Sequence, residues 1–74
     1  MSDELLEVQT EESLTREAAA QKLRELADQL SRQNQVAFSK GGLKHTVKVP
    51  GTVTMTVEIE ITDEGGEIEV EITW

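Results

Sequence analysis

Five glutamates near the end of the chain have a spacing that could support binding chemistry. They are Glu58, Glu60, Glu67, Glu69 and Glu71. Successive side chains of a β-strand point to opposite faces, so this alternation predicts that the five carboxylates share one face of a sheet. Such a face could be solvated and keep a small sheet soluble, could dock a basic partner, or could hold a divalent cation.

The solvated face is the favoured interpretation, because runs of charge usually face water. A basic partner comes second, since complementary potential increases both the association rate and the selectivity of binding. A cation site comes last, because calcium and magnesium prefer a curved loop rich in carbonyl oxygens. The turn at residues 63–66 is too short to form such a loop.

His45 and Trp74 are the other residues with chemical potential, and each occurs once as its type. His45 falls on the predicted apolar face opposite Val36, where we expect a hydrogen-bonded histidine at the edge of the core. A catalytic base needs a nucleophile or an orienting partner, and the stretch around His45 offers only Thr46, which is predicted to point to the other face. Trp74 either closes the end of the core against Met55 or anchors an interface, since tryptophan is enriched at binding hot spots.

The rest of the sequence favours a protein that is not an enzyme and that uses no cofactor. It contains no cysteine, which excludes a thiol nucleophile, a disulfide and a Cys-ligated zinc. It also lacks the G-x-S-x-G, H-E-x-x-H, P-loop and G-x-G-x-x-G motifs.

The length of 74 residues predicts a single domain over 1–74. No apolar run approaches the roughly 18–20 residues of a membrane helix. The opening Met1-Ser2-Asp3-Glu4 is unlike a secretory signal, so we expect a cytoplasmic protein without a membrane partner. The net charge of -8 at pH 7 should repel phosphates, so nucleic acid is not an expected partner.

That charge is segregated along the chain. Residues 1–28 carry -5, residues 29–57 carry +4 without any acid, and residues 58–74 carry -7 without any base. A uniformly acidic surface is therefore not expected, and the final 17 residues become the most acidic part of the molecule.

Residues 15–32 are predicted to form an amphipathic helix. Thr15 is suited to cap its first turn, and Asn34 is suited to the left-handed residue that ends it. Apolar residues recur at helical spacing between these caps, at Ala19, Leu23, Leu26, Ala27 and Leu30. The stripe is narrow and rich in alanine, which favours close packing on one surface, most simply a sheet.

Period-two alternation predicts strands in the remainder of the chain. A first strand is expected within residues 4–11, and four more follow the helix around 36–38, 43–49, 53–61 and 68–74. The predicted fold class is α+β in the order β-α-β-β-β-β, with the helix packed on a mostly antiparallel sheet of four to five strands.

Matching apolar residues across each turn gives a predicted register. In the last hairpin it pairs Ile61 with Ile68 and Met55 with Trp74, which sets Glu60 opposite Glu69 and Glu58 opposite Glu71. The other expected pairs are Phe38 with Leu43, Val36 with His45, Val49 with Val53, Lys48 with Thr54, and Lys44 with Glu58.

Several segments together resemble the amphi-Trp domain family of small bacterial and archaeal proteins. They are Leu14-Thr15-Arg16-Glu17-Ala18-Ala19, Leu23-Arg24-Glu25-Leu26-Ala27-Asp28, a Gly-Gly turn, Val47-Lys48-Val49-Pro50, two strands that alternate Val or Ile with Glu, and the terminal Trp74. The resemblance covers nearly the whole chain and implies a small prokaryotic single-domain protein with its tryptophan in the core or at its rim. It transfers no activity and no functional residue.

The expected function is a non-enzymatic protein-interaction module that uses the acidic sheet face or self-association. Its partner would be a basic protein or a second copy of the chain. The alternative is a small ligand-binding or divalent-metal-binding protein, with a site between helix and sheet or on the glutamates.

Overall fold

The helix α1 spans Arg16–Gln33 in the computed structural model, which describes residues 6–74. Thr15 precedes it with extended backbone, and its hydroxyl accepts a hydrogen bond of 3.1 Å from the Ala18 N–H. Asn34 follows it in the left-handed conformation at φ 54°. Both predicted caps are therefore confirmed, and the predicted helix is correct to within one residue at each end.

The first hairpin joins strands β1 (Gln35–Lys40) and β2 (Leu43–Lys48) through Gly41 and Gly42. These two glycines have φ values of 60° and 80°, as a two-residue type I′ turn requires. The tight turn pairs Phe38 with His45 and Val36 with Val47. The predicted pairs of Phe38 with Leu43 and of Val36 with His45 were wrong, because they assumed a four-residue turn.

The second hairpin joins strands β3 (Thr54–Thr62) and β4 (Gly65–Thr73). Its turn consists of Asp63 and Glu64, and the Thr62 hydroxyl accepts from the Glu64 N–H at 3.2 Å. The register pairs Ile59 with Ile68, Val57 with Val70, and Met55 with Ile72. The predicted pairs of Ile61 with Ile68 and of Met55 with Trp74 were displaced by two residues, again because the turn is shorter than expected.

The two hairpins are separate two-stranded antiparallel sheets, so the prediction of one continuous sheet was wrong. The expected pairs of Val49 with Val53, Lys48 with Thr54, and Lys44 with Glu58 are not formed, because β2 and β3 are not paired. The first hairpin ends just before the break. The Val49 N–H continues its ladder by donating to the Asn34 carbonyl at 2.9 Å, and the next residue, Pro50, has no N–H to offer a neighbouring strand.

Residues 6–15 form no strand, so the described elements follow the order α-β-β-β-β. The strand predicted within residues 4–11 is wrong from residue 6 onward, and residues 4 and 5 lie outside the described residues. The edge of β1 is partly satisfied by the helix, because the Ala37 N–H donates to Gln29 Oε1 at 2.7 Å. Residues 6–15 contact β1 through Lys40, whose ammonium donates to the Glu7 carbonyl at 2.8 Å.

The helix packs on the first hairpin alone. Among the described elements, α1 approaches β1 to within 8 Å between Cα atoms, and it approaches no other strand so closely. The prediction that the helix covers the sheet therefore holds for one hairpin of the two. Half-buried residues gather at this contact, but none of the described residues is fully buried.

Candidate functional site: the second hairpin

The second hairpin presents two chemically opposite faces because its strands alternate glutamate or threonine with apolar residues. One face, here called the glutamate face, carries Glu58, Glu60, Glu67, Glu69 and Glu71. The other, here called the apolar face, carries Met55, Val57, Ile59, Ile61, Ile68, Val70 and Ile72. The sequence correctly predicted that each set shares one face, since the alternation has the period of the pleat.

The glutamate face contains two pairs of directly opposed carboxylates. Glu58 lies opposite Glu69, and Glu60 lies opposite Glu67. The predicted pairs of Glu60 with Glu69 and of Glu58 with Glu71 were wrong, because the register is displaced by two residues. Glu71 lies opposite Thr56 and so has no acid across the strand. Directly opposed like charges destabilise a sheet, and here the repulsion acts within two cross-strand pairs of one hairpin.

This crowding changes the acidity of Glu69. A hydrogen bond with Glu67 raises the pKa of the Glu69 carboxyl above its usual range, and the charges of Glu67 and Glu58 raise it further. Slight desolvation and the charge of Glu71 act in the same direction. The physical cause is proximity, since ionising Glu69 adds a negative charge beside carboxylates that already carry one.

The glutamates have no cationic partners in the described part of the chain. The ion pairs there join Arg16 to Glu17 and Lys22 to Glu12, which lie on and before the helix. Lys44 was expected to offset Glu58 from the neighbouring strand, but β2 does not lie beside β3. Within residues 6–74, no three acidic or histidine side chains come together as a group that could hold a metal ion.

The apolar face is largely uncovered. Ile61 is 82% exposed, Ile68 is 73% exposed and Ile59 is 66% exposed. Met55 and Val57 are also more than half exposed. These values are unusual, because a strand with an alternating pattern normally buries its apolar side against the core.

The inner end of the apolar face lies across an open cleft from the helix. One cavity of about 530 Å³ is lined by Leu23, Leu26 and Leu30 of the helix and by Met55, Val70 and Ile72 of the hairpin. An adjoining cavity of about 380 Å³ reaches from Leu26 and Leu30 to Ile72, Trp74 and the first hairpin. The outer end, with Val57, Ile59, Ile61 and Ile68, lines neither cavity.

Trp74 and His45 lie outside the two faces. Trp74 follows β4, its side chain is 64% exposed, and it lines the smaller cavity. Met55 lies opposite Ile72, so the predicted closure of the core by Trp74 against Met55 rests on a register that the hairpin does not have. His45 is half-buried and stacks on Phe38 with ring centroids 5.4 Å apart, where Val36 was expected as its cross-strand neighbour.

Sequence reasoning missed the exposed outer end of the apolar face, because it assigned these isoleucines to a core. A signal was nevertheless available. The helix stripe is narrow and alanine-rich, whereas two hairpins each present an apolar face, so one such helix could not cover both. Because the apolar stripe of the helix is smaller than the apolar faces of the two hairpins together, part of those faces is expected to stay exposed unless another surface covers it.

Comparison with known proteins identifies the family. The Amphi-Trp domain model matches residues 1–74, which confirms the resemblance inferred from the sequence over the whole chain. Neither a curated protein nor a solved structure matches the chain. No helix in the described part of the chain combines the length and the apolar character needed to cross a membrane.

Proposed function

The chain belongs to the Amphi-Trp domain family, and we propose that it is a non-enzymatic protein-interaction module whose contact surface is the apolar face of the second hairpin. The observation that carries the proposal is the exposure of the outer isoleucines, which reaches 82% at Ile61. Soluble monomers rarely leave apolar side chains contiguous over more than a few hundred Å², and larger patches mark interaction sites.

The glutamate face supports this role from the opposite side of the same hairpin. Its carboxylates keep one side of the hairpin in water, so an apolar partner surface can bind on the other side alone. They also give the module a strongly negative potential that favours approach of a basic surface and disfavours acidic ones. The apolar face therefore contributes affinity, and the glutamate face contributes selectivity.

Within the described residues, the contacts of His45 are structural ones. His45 is occupied by stacking on Phe38, and within residues 6–74 no hydrogen bond joins it to a hydroxyl or a carboxylate. A general base normally needs such a contact with the group it activates or with one that orients it.

Photo-crosslinking at adjacent positions tests the proposal. A benzophenone-bearing amino acid would replace Ile59 in one variant and Glu58 in another, in the cells that make the protein. These neighbours point to opposite faces of β3, so the pair differs in the face that is probed while strand and depth stay nearly constant. We expect covalent protein adducts from position 59 and few from position 58.

Each result has a distinct meaning. Adducts that form from position 58 alone would move the contact surface to the glutamate face and refute the apolar one. Absence of protein adducts at both positions would refute an interaction module that uses this hairpin. Adducts from position 59 to one defined chain, whether a second copy or another protein, would support the module, whereas adducts to a mixture of unrelated proteins would refute a specific contact surface.

The cleft favours a second candidate function, which is binding of a small neutral apolar molecule. Its cavities of about 380 and 530 Å³ are of the size that holds small ligands, and their walls are mostly leucine, valine and isoleucine. A ligand held there would appear as added mass when the protein is purified without denaturant and weighed by native mass spectrometry. A protein whose function is this ligand alone would give no protein adducts at position 59, because that function places no other protein against the apolar face.

A further inference from the structure

The apolar face of the second hairpin is largely uncovered in the single chain, and the same face of an identical chain could cover it. We propose that its partner is a second copy of this protein, with the two second hairpins packed face to face across a twofold axis. This inference rests on the proposed function and names the partner of the same surface. The contact centres on the outer end of the face, around Val57, Ile59, Ile61 and Ile68.

The chain exposes more surface than a compact monomer of its mass. The chain exposes 7010 Å² at a mass of 8.2 kDa. A compact monomer of this mass exposes about 4,500 Å², so the chain leaves about 2,500 Å² more in water than expected. Part of that excess belongs to residues 6–15, which are exposed along their whole length. The whole excess is about three times the roughly 800 Å² that a stable interface takes from each partner.

The dimensions of the molecule agree with this accounting. The Cα radius of gyration is 14.4 Å, whereas about 11 Å is expected for a compact chain of this length. None of the described residues is fully buried, so the chain alone lacks the core on which small domains depend. Oligomerisation is one of the few remedies open to a chain without cysteine, because no disulfide can substitute for the core.

The geometry of the hairpin makes it self-complementary. Two antiparallel hairpins packed through their apolar faces form a small sandwich, with the sheets about 10 Å apart. In a twofold arrangement the same patch serves on both copies, so each isoleucine position of the outer end is buried once in each copy. The helix cannot perform this task within one chain, because its cavity-lining leucines face the inner end of the hairpin.

The charges of the two copies point away from the contact. Face-to-face packing leaves both glutamate faces in solvent, where no carboxylate has to be desolvated. Each chain nevertheless carries -8, so the copies repel each other at long range. Added salt screens that repulsion and should strengthen the dimer, whereas it should weaken a complex with a basic partner.

Sedimentation equilibrium of the full chain tests the inference with two matched variants. Ile59→Lys places a charge on the apolar face, and Thr56→Lys adds the same charge to the glutamate side of the same strand, opposite Glu71. We expect the unmodified protein and Thr56→Lys to sediment at twice 8.2 kDa, with a larger dimer fraction when sodium chloride is added. Ile59→Lys should weaken the dimer by about 100-fold or more, because each dimer loses two buried isoleucines.

The outcomes separate the inference from the proposed function. A monomer of 8.2 kDa whose melting temperature does not change with protein concentration would overturn the dimer, even if Ile59→Lys fails to fold. A dimer that persists in Ile59→Lys would place the contact elsewhere, for example along a strand edge, and would also overturn it. Photo-adducts from position 59 to a different protein, together with a monomeric mass, would keep the proposed function and eliminate the second copy.

Discussion

At the scale of single residues, the glutamates show how a two-residue shift in register changes which carboxylates face each other. Glu69 faces Glu58 rather than Glu60, and Glu71 faces Thr56. The pKa of Glu69 is raised by a hydrogen bond with Glu67 on its own strand and by the charges of Glu67 and of the facing Glu58. The carboxylates of this face are not equivalent, although the sequence presents them as a simple alternation.

Glu69→Gln is expected to raise the melting temperature near neutral pH, because it removes a charge that faces another carboxylate. The folded state raises the pKa of Glu69, so this group contributes stability at pH values below its unfolded pKa. That contribution is lost as pH rises through the raised pKa of the folded state. The gain from Gln should therefore shrink as the solution is acidified, which thermal melts at several pH values would measure.

Glu71→Gln is the matched control for that experiment, since it removes the same charge from the same strand and face. It should give a smaller gain near neutral pH, because Thr56 rather than an acid lies opposite. Equal gains from the two variants, or a gain at Glu69 that grows on acidification, would show that the facing pairs are not the source of the strain.

At the scale of elements, the helix and the faces of the hairpins could be predicted from sequence, but the registers could not. Thr15 and Asn34 are local signals, because a cap acts on its own turn of helix. Alternation likewise identifies which residues share a face. A shift of two residues leaves every face unchanged, however, so Ile61 with Ile68 and Ile59 with Ile68 satisfy the pattern equally well.

The turns decide between such registers. Gly41 and Gly42 permit a two-residue type I′ turn because both have positive φ, and this pulls Leu43 opposite Lys40. The joining of hairpins into one sheet is also not encoded by alternation, because separate and merged hairpins have the same pattern. It depends on whether β2 and β3, which lie on either side of Pro50 in the chain, form hydrogen bonds with each other, and they do not.

The turn supplies a prediction at this scale. Gly41→Val should lower the free energy of unfolding by about 1–2 kcal/mol, because a branched side chain is strained at positive φ. A Cβ at Gly41 would meet nothing within 4 Å, so the cost arises from the backbone alone. Gly41→Asn should be nearly neutral, because Asn-Gly is a preferred type I′ sequence.

Urea denaturation measures both variants, and using one fixed protein concentration keeps any contribution from self-association the same in each. If Gly41→Val were no more destabilising than Gly41→Asn, the turn would not require positive φ at position 41. The longer turn assumed from the sequence would then become the better description of the first hairpin.

At the scale of the whole molecule, the two hairpins differ in both charge and exposure. The first hairpin carries Lys40, Lys44 and Lys48 without an acid, and the second carries all seven acids of residues 58–74. The helix covers the first hairpin and leaves the second standing apart with its apolar face open. The molecule is thus organised as a small packed unit that presents an amphipathic hairpin.

The most direct test of this account is an isotope-filtered NMR experiment on a mixture of labelled and unlabelled protein. The account predicts nuclear Overhauser effects from the labelled methyl groups of Ile59, Ile61 and Ile68 to protons of an unlabelled copy. It also predicts that these signals vanish in Ile59→Lys but persist in Thr56→Lys. Effects confined to one chain, above all between these isoleucines and the leucines of its own helix, would contradict it.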